Sequence, residues 1–344
     1  MIKVGLPVLL NSNRLPVSTS PPRPPSEVFP GIILIDLPLP SMLGRVNVFL
    51  IRSGEGYVLF DTGMNFAPCR EALEQAMAAL GIPWAAIHTV FLSHFHPDHV
   101  GLASFVLEKT AASTLMHQVD YEHLLEYASA PPWTAHFLDA SGAPHDLRNS
   151  MDKDANLLFK TTSPIPTIQY INEGHVIPSV LGPLDVIWTP GHSAGHLCLY
   201  SREHQVLLSG DHILDGITPN IHYHPDSDPL GDFLISLDKT AALPVRHLLP
   251  CHGVPFVDHV TWIERVKAHH HTRCERIVAA IAAQPASSYE LTQHLWKRQL
   301  TPFHLRFALF ELLAHLEFLR LRGSVTCTNE DGTIMWRSQS VGIF

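Results

Sequence analysis

Ser93-His94-Phe95-His96-Pro97-Asp98-His99 is the stretch of the chain that decides its fold. It follows an apolar run over residues 87–92 that predicts a buried strand. Ligands of α/β sheets bind where strands end, and imidazole and carboxylate are the usual protein ligands of zinc, iron and manganese. The alternating pattern HxHxDH therefore predicts a metal site rather than a polar loop in a histidine-rich chain.

The composition bounds the function classes. The chain has 344 residues, of which 46% are hydrophobic and 16% charged, which suits one large domain or a domain of ordinary size with a small appendage. Its formal net charge of -9 does not favour a nucleic acid as partner, since such binding usually rests on clusters of lysine and arginine. We therefore expect a small-molecule substrate.

The cysteine content and the hydropathy predict the compartment. The five cysteines are scattered and form no CxxC pair, which is typical of a reducing environment. No apolar run is long enough to span a bilayer. We expect a cytoplasmic protein that does not interact with a membrane.

The apolar runs and turn residues predict three parts. Residues 1–30 are rich in proline and should lie extended over the surface. Residues 31–257 should form the catalytic domain, which begins with antiparallel strands at 32–35, 46–51 and 56–60. Residues 120–163 are predicted to form a helical insertion beside the site, of the kind that selects a substrate.

The third part, residues 258–344, is predicted to be a helical unit. Helices at 258–283, 288–299 and 302–320 precede a two-stranded tail, a pattern that resembles a winged helix. The last helix is too apolar for a DNA reader, so we interpret the unit as a packing or homodimerisation element. The triplet His269-His270-His271 is expected on a helix surface.

Three further polar clusters each follow an apolar strand. They are Thr189-Pro190-Gly191-His192, Ser209-Gly210-Asp211 and Cys251-His252-Gly253. Strands that end in this way deliver their side chains to one edge of a sheet. These clusters, together with Phe60-Asp61-Thr62-Gly63 and the HxHxDH stretch, occur in the order that resembles the metallo-β-lactamase superfamily.

That resemblance covers about residues 31–285 and implies an α/β fold, a four-layer αββα sandwich. Its hydrolase branches, such as glyoxalase II, share the complete HxHxDH pattern. The true β-lactamases usually lack the aspartate that bridges the metals, so the resemblance does not point to antibiotic hydrolysis. More loosely, residues 258–338 resemble the C-terminal unit of the lactamase-beta-2-like branch.

The resemblance also implies a role for each site residue. One metal ion would be held by His94, His96 and His192, and a second by Asp98, His99 and His252. Asp211 would bridge the two ions, Asp61 would orient a ligand, and His196 would support the loop.

The expected cofactor is a pair of Zn²⁺ ions, with iron or manganese as alternatives. The expected reaction is hydrolysis of a small thioester, ester or lactone by a hydroxide held between the two ions. Asp98 is the candidate general base, and Tyr223 and His222 are candidate substrate-binding residues. Two alternatives stay open: an endoribonuclease or phosphodiesterase, and a mononuclear iron dioxygenase that acts on a persulfide.

Overall fold

The computed structural model describes residues 23–39, 44–129, 132–151, 162, 164–296 and 300–339. A seven-stranded sheet carries the first half of the chain, with its strands in sequence order. Strands β1 to β4 are antiparallel, as predicted, and β4 to β7 are parallel. The strands are β1 (Ser26–Phe29), β2 (Ile32–Pro38), β3 (Arg45–Ser53), β4 (Gly56–Phe60), β5 (Ile87–Phe91), β6 (Ser113–Met116) and β7 (Gln169–Tyr170).

A second, five-stranded sheet has the order β12-β11-β10-β9-β8. Only its pair β11 and β12 is parallel. Successive side chains of a strand point to opposite faces, so Leu197 and Leu199 join the core shared with the first sheet, whereas Cys198 and Tyr200 join a second core. The strands are β8 (Val176–Ile177), β9 (Leu184–Trp188), β10 (Leu197–Ser201), β11 (Val206–Gly210) and β12 (His247–Pro250).

Helices cover both outer faces of the two sheets. Leu73 of α1 packs in the core of the first sheet, and Phe233 of α7 packs in the second core, on the far side of the second sheet. The layers are therefore helix, sheet, sheet, helix, which confirms the predicted sandwich. The helices are α1 (Ala67–Leu80), α2 (Pro97–Val100), α3 (Ala103–Lys109), α4 (Gln118–Ala128), α5 (Pro132–Ala140), α6 (described over 145–151), α7 (Pro229–Ala241), α8 (His259–Ala280), α9 (Ser288–Leu295) and α10 (Pro302–Leu321).

The helical C-terminal unit also forms as predicted. It comprises α8, α9, α10 and a three-stranded sheet of β13 (Ala286–Ser287), β14 (Val325–Glu330) and β15 (Thr333–Ser338). A capping box between Ser287 and Glu290 starts α9. Helix α10 packs against α7, α8, α9 and β14, so most of its apolar residues are buried within the chain itself.

Two expectations need correction. The first sheet begins at Ser26, inside the segment 1–30 that was expected to lie outside the domain, because β1 pairs with β2. His270 is not on a helix surface; it is buried, and its Nδ1 lies 3.1 Å from Nε2 of His315.

The insertion contains α4, α5 and α6, and its residues 130, 131, 152–161 and 163 lie outside the described part of the chain, as do residues 1–22. None of the described helices combines the length and the apolar character needed to cross a membrane.

Candidate metal centre

The loops that carry the predicted ligands meet at one edge of the sandwich. Asp61 follows β4, the HxHxDH stretch follows β5, and His192, Asp211 and His252 follow β9, β11 and β12. Backbone hydrogen bonds join the two sheets here: the amide of Leu197 donates to the carbonyl oxygen of Ser93 at 2.8 Å. The fold thus places the carboxyl ends of several strands around one site.

Two glycines of the motifs are required by this packing. The φ angle of Gly191 is +139°, and a Cβ atom there would lie 2.4 Å from the backbone of Phe233. The φ angle of Gly210 is +52°, and a Cβ atom there would lie 2.6 Å from Nε2 of His196. Any other residue would displace the loops that hold His192 and Asp211.

His94, His96 and His192 form one triangle of nitrogen atoms. Nδ1 of His96 lies 3.0 Å from Nε2 of His94 and 2.9 Å from Nε2 of His192, and the two Nε2 atoms are 3.2 Å apart. Nδ1 of His192 donates to the carbonyl oxygen of Asn220 at 2.8 Å. Nε2 of His192 therefore carries a lone pair that can bind a metal. Burial and the neighbouring His192 lower the pKa of His96 to about 3, so this imidazole is neutral.

Asp98, His99 and His252 form a second group beside the first. Nε2 of His252 lies 3.4 Å from Oδ2 of Asp98, and Nε2 of His99 lies 3.8 Å from the same oxygen. Nδ1 of His252 donates to the carbonyl oxygen of Arg45 at 2.8 Å, which turns its Nε2 inward. Burial opposes a charge on His252, but the carboxylates of Asp211 and Asp98 outweigh it and raise the pKa of His252 to about 10.

Asp211 lies between the two groups. Its carboxylate oxygens are 3.4 Å from Nε2 of His252, 3.5 Å from Nε2 of His99 and 3.6 Å from Nε2 of His192. Burial raises the pKa of Asp211, but His252 and His99 outweigh that effect and hold it well below its usual value.

These donors fit a divalent metal. Nε2 of His99, Nε2 of His252 and Oδ1 of Asp211 are buried atoms without a hydrogen-bond partner among the described residues. Buried polar atoms are rarely left unpaired, and imidazole nitrogen with carboxylate oxygen is the donor set of zinc and related metals. The lone pairs that face one another across 3 Å also need a cation between them.

Asp61 supports the second group without joining it. Its Oδ2 accepts hydrogen bonds from Nδ1 of His99 at 2.8 Å and from the hydroxyl of Ser93 at 2.7 Å, and the thiol of Cys251 lies 3.3 Å away. Asp61 has a φ angle of +59°, a left-handed conformation that a residue other than glycine adopts at a cost of about 1–3 kcal/mol. That strain at a site residue indicates a functional constraint.

His196 supports the loop around Asp211. Its Nε2 accepts a hydrogen bond from the backbone amide of Asp211 at 3.0 Å, and its Nδ1 lies 2.7 Å from the hydroxyl of Thr189. The imidazole therefore joins the ends of β9 and β11 rather than facing the metal cluster.

The two candidate substrate residues lie in different places. His222 stacks on Phe310 with a centroid distance of 4.5 Å and lines a cleft that it shares with His192. Tyr223 points the other way, into a second cavity between Phe137 of α5 and Trp336 of β15. The structure thus brings His222 to the centre and not Tyr223, because adjacent residues of the extended segment face opposite sides.

Asp120 is a supporting residue that sequence reasoning missed. It is fully buried at the start of α4, and its carboxylate accepts hydrogen bonds from the amide of Phe95 at 3.1 Å, the amide of Gly195 at 2.6 Å and the hydroxyl of Ser193 at 2.6 Å. Burial raises the pKa of Asp120 to about 7, although these three donors favour its charged form. Asp120 ties the loop of His94 and His96 to the loop of His192.

The C-terminal unit contacts Asn220, and the backbone carbonyl of Asn220 orients His192. The side-chain amide of Asn220 donates to Oε2 of Glu311 at 3.1 Å, and Oε1 of Glu311 accepts from Arg273 at 3.3 Å. Burial raises the pKa of Glu311. Helices α8 and α10 thereby position a residue that supports the metal cluster.

The Glu311→Ala variant is expected to bind metal about 10–100-fold more weakly, the usual effect of losing a residue that orients a metal ligand. Without the carboxylate, the side-chain amide of Asn220 keeps only the longer contact of 3.5 Å to the carbonyl oxygen of Phe307, and its own carbonyl holds His192 less firmly in one orientation. Competition with a chelator measures the affinity. Glu275→Ala, on the exposed side of α8, is the control, and equal affinity of both variants would contradict the role of Glu311.

The sequence and the fold agree with known proteins. Residues 42–252 match the family model of the metallo-beta-lactamase superfamily. The chain belongs to this superfamily. Residues 274–339 match the model of the metallo-beta-lactamase-like C-terminal domain. A metallo-beta-lactamase family protein from Thermus thermophilus is 30% identical and superposes with a TM-score of 0.79 over 91% of this chain and 100% of its own.

Two curated relatives in the metallo-beta-lactamase superfamily extend the comparison. The probable metallo-hydrolase YqjP of Bacillus subtilis is 25% identical over 89% of this chain and 98% of its own length. The acyl-coenzyme A thioesterase MBLAC2 of Gallus gallus is 26% identical over 60% of this chain and 70% of its own length. The chain is accordingly a metallo-hydrolase with a metallo-beta-lactamase fold.

Proposed function

We propose that the chain is a two-metal hydrolase that cleaves a small thioester, ester or lactone. The observation that carries the proposal is the arrangement of seven donors in two adjacent groups that share Asp211. His94, His96 and His192 would hold one ion, and Asp98, His99 and His252 the other. The thioesterase activity named for MBLAC2 supports an acyl thioester as the first substrate to test.

Zinc is the proposed metal, and iron or manganese would use the same donors. When bound, such a pair of ions polarises the substrate oxygen and makes water acidic enough to react at neutral pH. The residues of the chain then have to orient the substrate, exclude bulk water and accept a proton.

Asp98 is the proposed proton acceptor. Its side chain is 18% exposed, against 7% for Asp211, so it is the carboxylate of the cluster that a reacting water reaches most easily. Burial raises the pKa of Asp98, but His99 and His252 outweigh that effect and lower it to about 2, so the group is ionised at neutral pH. A positioned base of this kind contributes about 10²–10⁴-fold to a rate.

The cleft beside the cluster favours an uncharged acyl group. It has a volume of about 100 Å³ and is lined by aromatic and imidazole side chains, among them Phe95, Tyr127 and His222. Its described lining includes Asp232 but no lysine or arginine. A phosphodiester or RNA substrate would need cations along such a cleft, which makes the endoribonuclease alternative the weaker proposal.

A hydrolysis panel tests the proposal. Protein of measured metal content is assayed with acyl thioesters, lactones, carboxyl esters, phosphodiesters and RNA, and we expect turnover of thioesters with two metal ions bound per chain. One iron per chain with oxygen-dependent turnover of a persulfide would instead support the dioxygenase alternative. Turnover of RNA alone would overturn the acyl substrate.

The proposed setting is the cytoplasm. Four of the five cysteines are buried as free thiols and the fifth, Cys327, is exposed and free, which suits a reducing compartment. A homodimer through the C-terminal helices stays a proposal, and light scattering on the purified protein tests it. No nucleic-acid or membrane partner is proposed.

A further inference from the structure

A second cluster of metal-binding side chains lies in the cleft, apart from the seven donors. It consists of His123 and Glu126 of α4 and of His224, and one donor atom from each lies within 4.8 Å of the others. His123 and Glu126 are three positions apart and so share one face of α4. His123 and His224 line the same cleft as His192.

The orientation of His224 suits a metal ligand. Its Nδ1 donates to the carbonyl oxygen of Pro225 at 3.1 Å, so Nε2 carries the lone pair. That Nε2 lies 3.6 Å from Oε2 of Glu126. Two donors of a tetrahedral site lie about 3.3 Å apart, from metal–ligand distances of about 2.0–2.2 Å, so this pair is already near the required spacing.

His123 completes the set from the facing side. Its ring stacks on that of His224 with a centroid distance of 4.6 Å and an interplanar angle of 25°, so the two imidazoles lie side by side. Burial and the neighbouring His224 lower the pKa of His123 to about 4, which keeps it neutral. All three side chains are half-buried, so small rotations can bring the donors together around an ion.

The charge of the surroundings selects a cation. Glu126 contributes a carboxylate and Asp232 lines the same cleft. The described lining contains no lysine or arginine, and the charge of the nearby Arg306 acts on Tyr127 and His222. The carboxylates of Glu126 and Asp232 repel an anion and attract a positive ion.

We propose that His123, Glu126 and His224 form a third, inhibitory site for a divalent transition metal at the cleft beside the catalytic centre. An ion there narrows the cleft that the substrate must enter, so an excess of metal lowers turnover. The site binds more weakly than the buried centre because it has three half-exposed ligands. The inference rests on these side chains and not on which bond the enzyme cleaves.

Calorimetric titration of the metal-loaded protein with Zn²⁺ tests the proposal. We expect one additional equivalent in the wild type and none in the His123→Gln/Glu126→Gln double variant, whose near-isosteric substitutions keep the fold, as a thermal melt checks. His271→Ala is the matched control, because His271 and Glu275 form a similar pair at 3.3 Å on α8 without belonging to a three-donor cluster of the described chain.

The additional equivalent should persist in His271→Ala. No additional equivalent in the wild type, its retention in the double variant or its loss in His271→Ala would overturn the proposal. Because calorimetry needs no substrate, it tests the third metal site even if the protein has no thioesterase activity. Where turnover is measured, excess Zn²⁺ should inhibit the wild type and spare the double variant.

Discussion

The Asp211→Asn variant is expected to lose about 10³-fold in kcat/KM and to bind fewer than two metal ions per chain. Among the residues that the structure describes, Asp211 is the carboxylate that lies within 3.6 Å of a histidine from each donor group. The substitution keeps the size of the side chain and removes the charge that two cations would share. A metal pair stabilises the transition state by several kcal/mol. Because each 1.36 kcal/mol changes the rate about tenfold, losing that stabilisation corresponds to a loss of about 10³-fold.

Kinetics and metal analysis of the same sample measure both effects. Asp238→Asn is the matched control, because Asp238 is a surface residue paired with Lys267 and such exposed pairs contribute little. Two bound ions and wild-type kcat/KM in the Asp211 variant would show that this carboxylate does not bridge the centre.

The Asp120→Ala variant is expected to be destabilised by about 3 kcal/mol or more and to lose metal affinity. Removing the carboxylate leaves the amides of Phe95 and Gly195 and the hydroxyl of Ser193 without their acceptor. Each buried donor left unsatisfied costs about 1–3 kcal/mol. The loops that carry His96 and His192 also lose the group that joins them.

A thermal melt of the metal-free protein measures the loss of stability, and a chelator competition at lower temperature measures the metal affinity. We expect the melting temperature to fall by about 6–12 °C, from a shift of about 2–4 °C per kcal/mol in larger domains. Glu122→Ala is the control, since Glu122 is exposed on the same helix. A variant as stable as this control, with unchanged metal affinity, would rule out the joining role.

The strands and the ligand motifs could be predicted because their signals are local. Strand β4 has its predicted bounds of 56–60, since short apolar runs bounded by turn residues mark strands. Helix α10 also lies within one residue of its predicted bounds of 302–320, because a proline at its start marks where the helix begins.

The supporting residues could not be predicted because their partners are far away in sequence. Asp120 contacts residues 25, 73 and 75 positions away, and nothing around it in the chain marks it as special. Asn220 meets Glu311 across 91 positions. The buried state of His270 was missed for the same reason, since its partner His315 comes from another helix.

The sequence by itself determined the donor types, their order along the chain and the strands that carry them, because hydrophobic periodicity and motif spacing are local properties. Only the tertiary structure decided which donors face one another. It turned His222 toward the cleft and Tyr223 away, placed Asp211 between the two donor groups and joined the C-terminal helices to His192 through Asn220. Those distances depend on how two sheets and their helices pack, and packing brings together residues that the chain keeps apart.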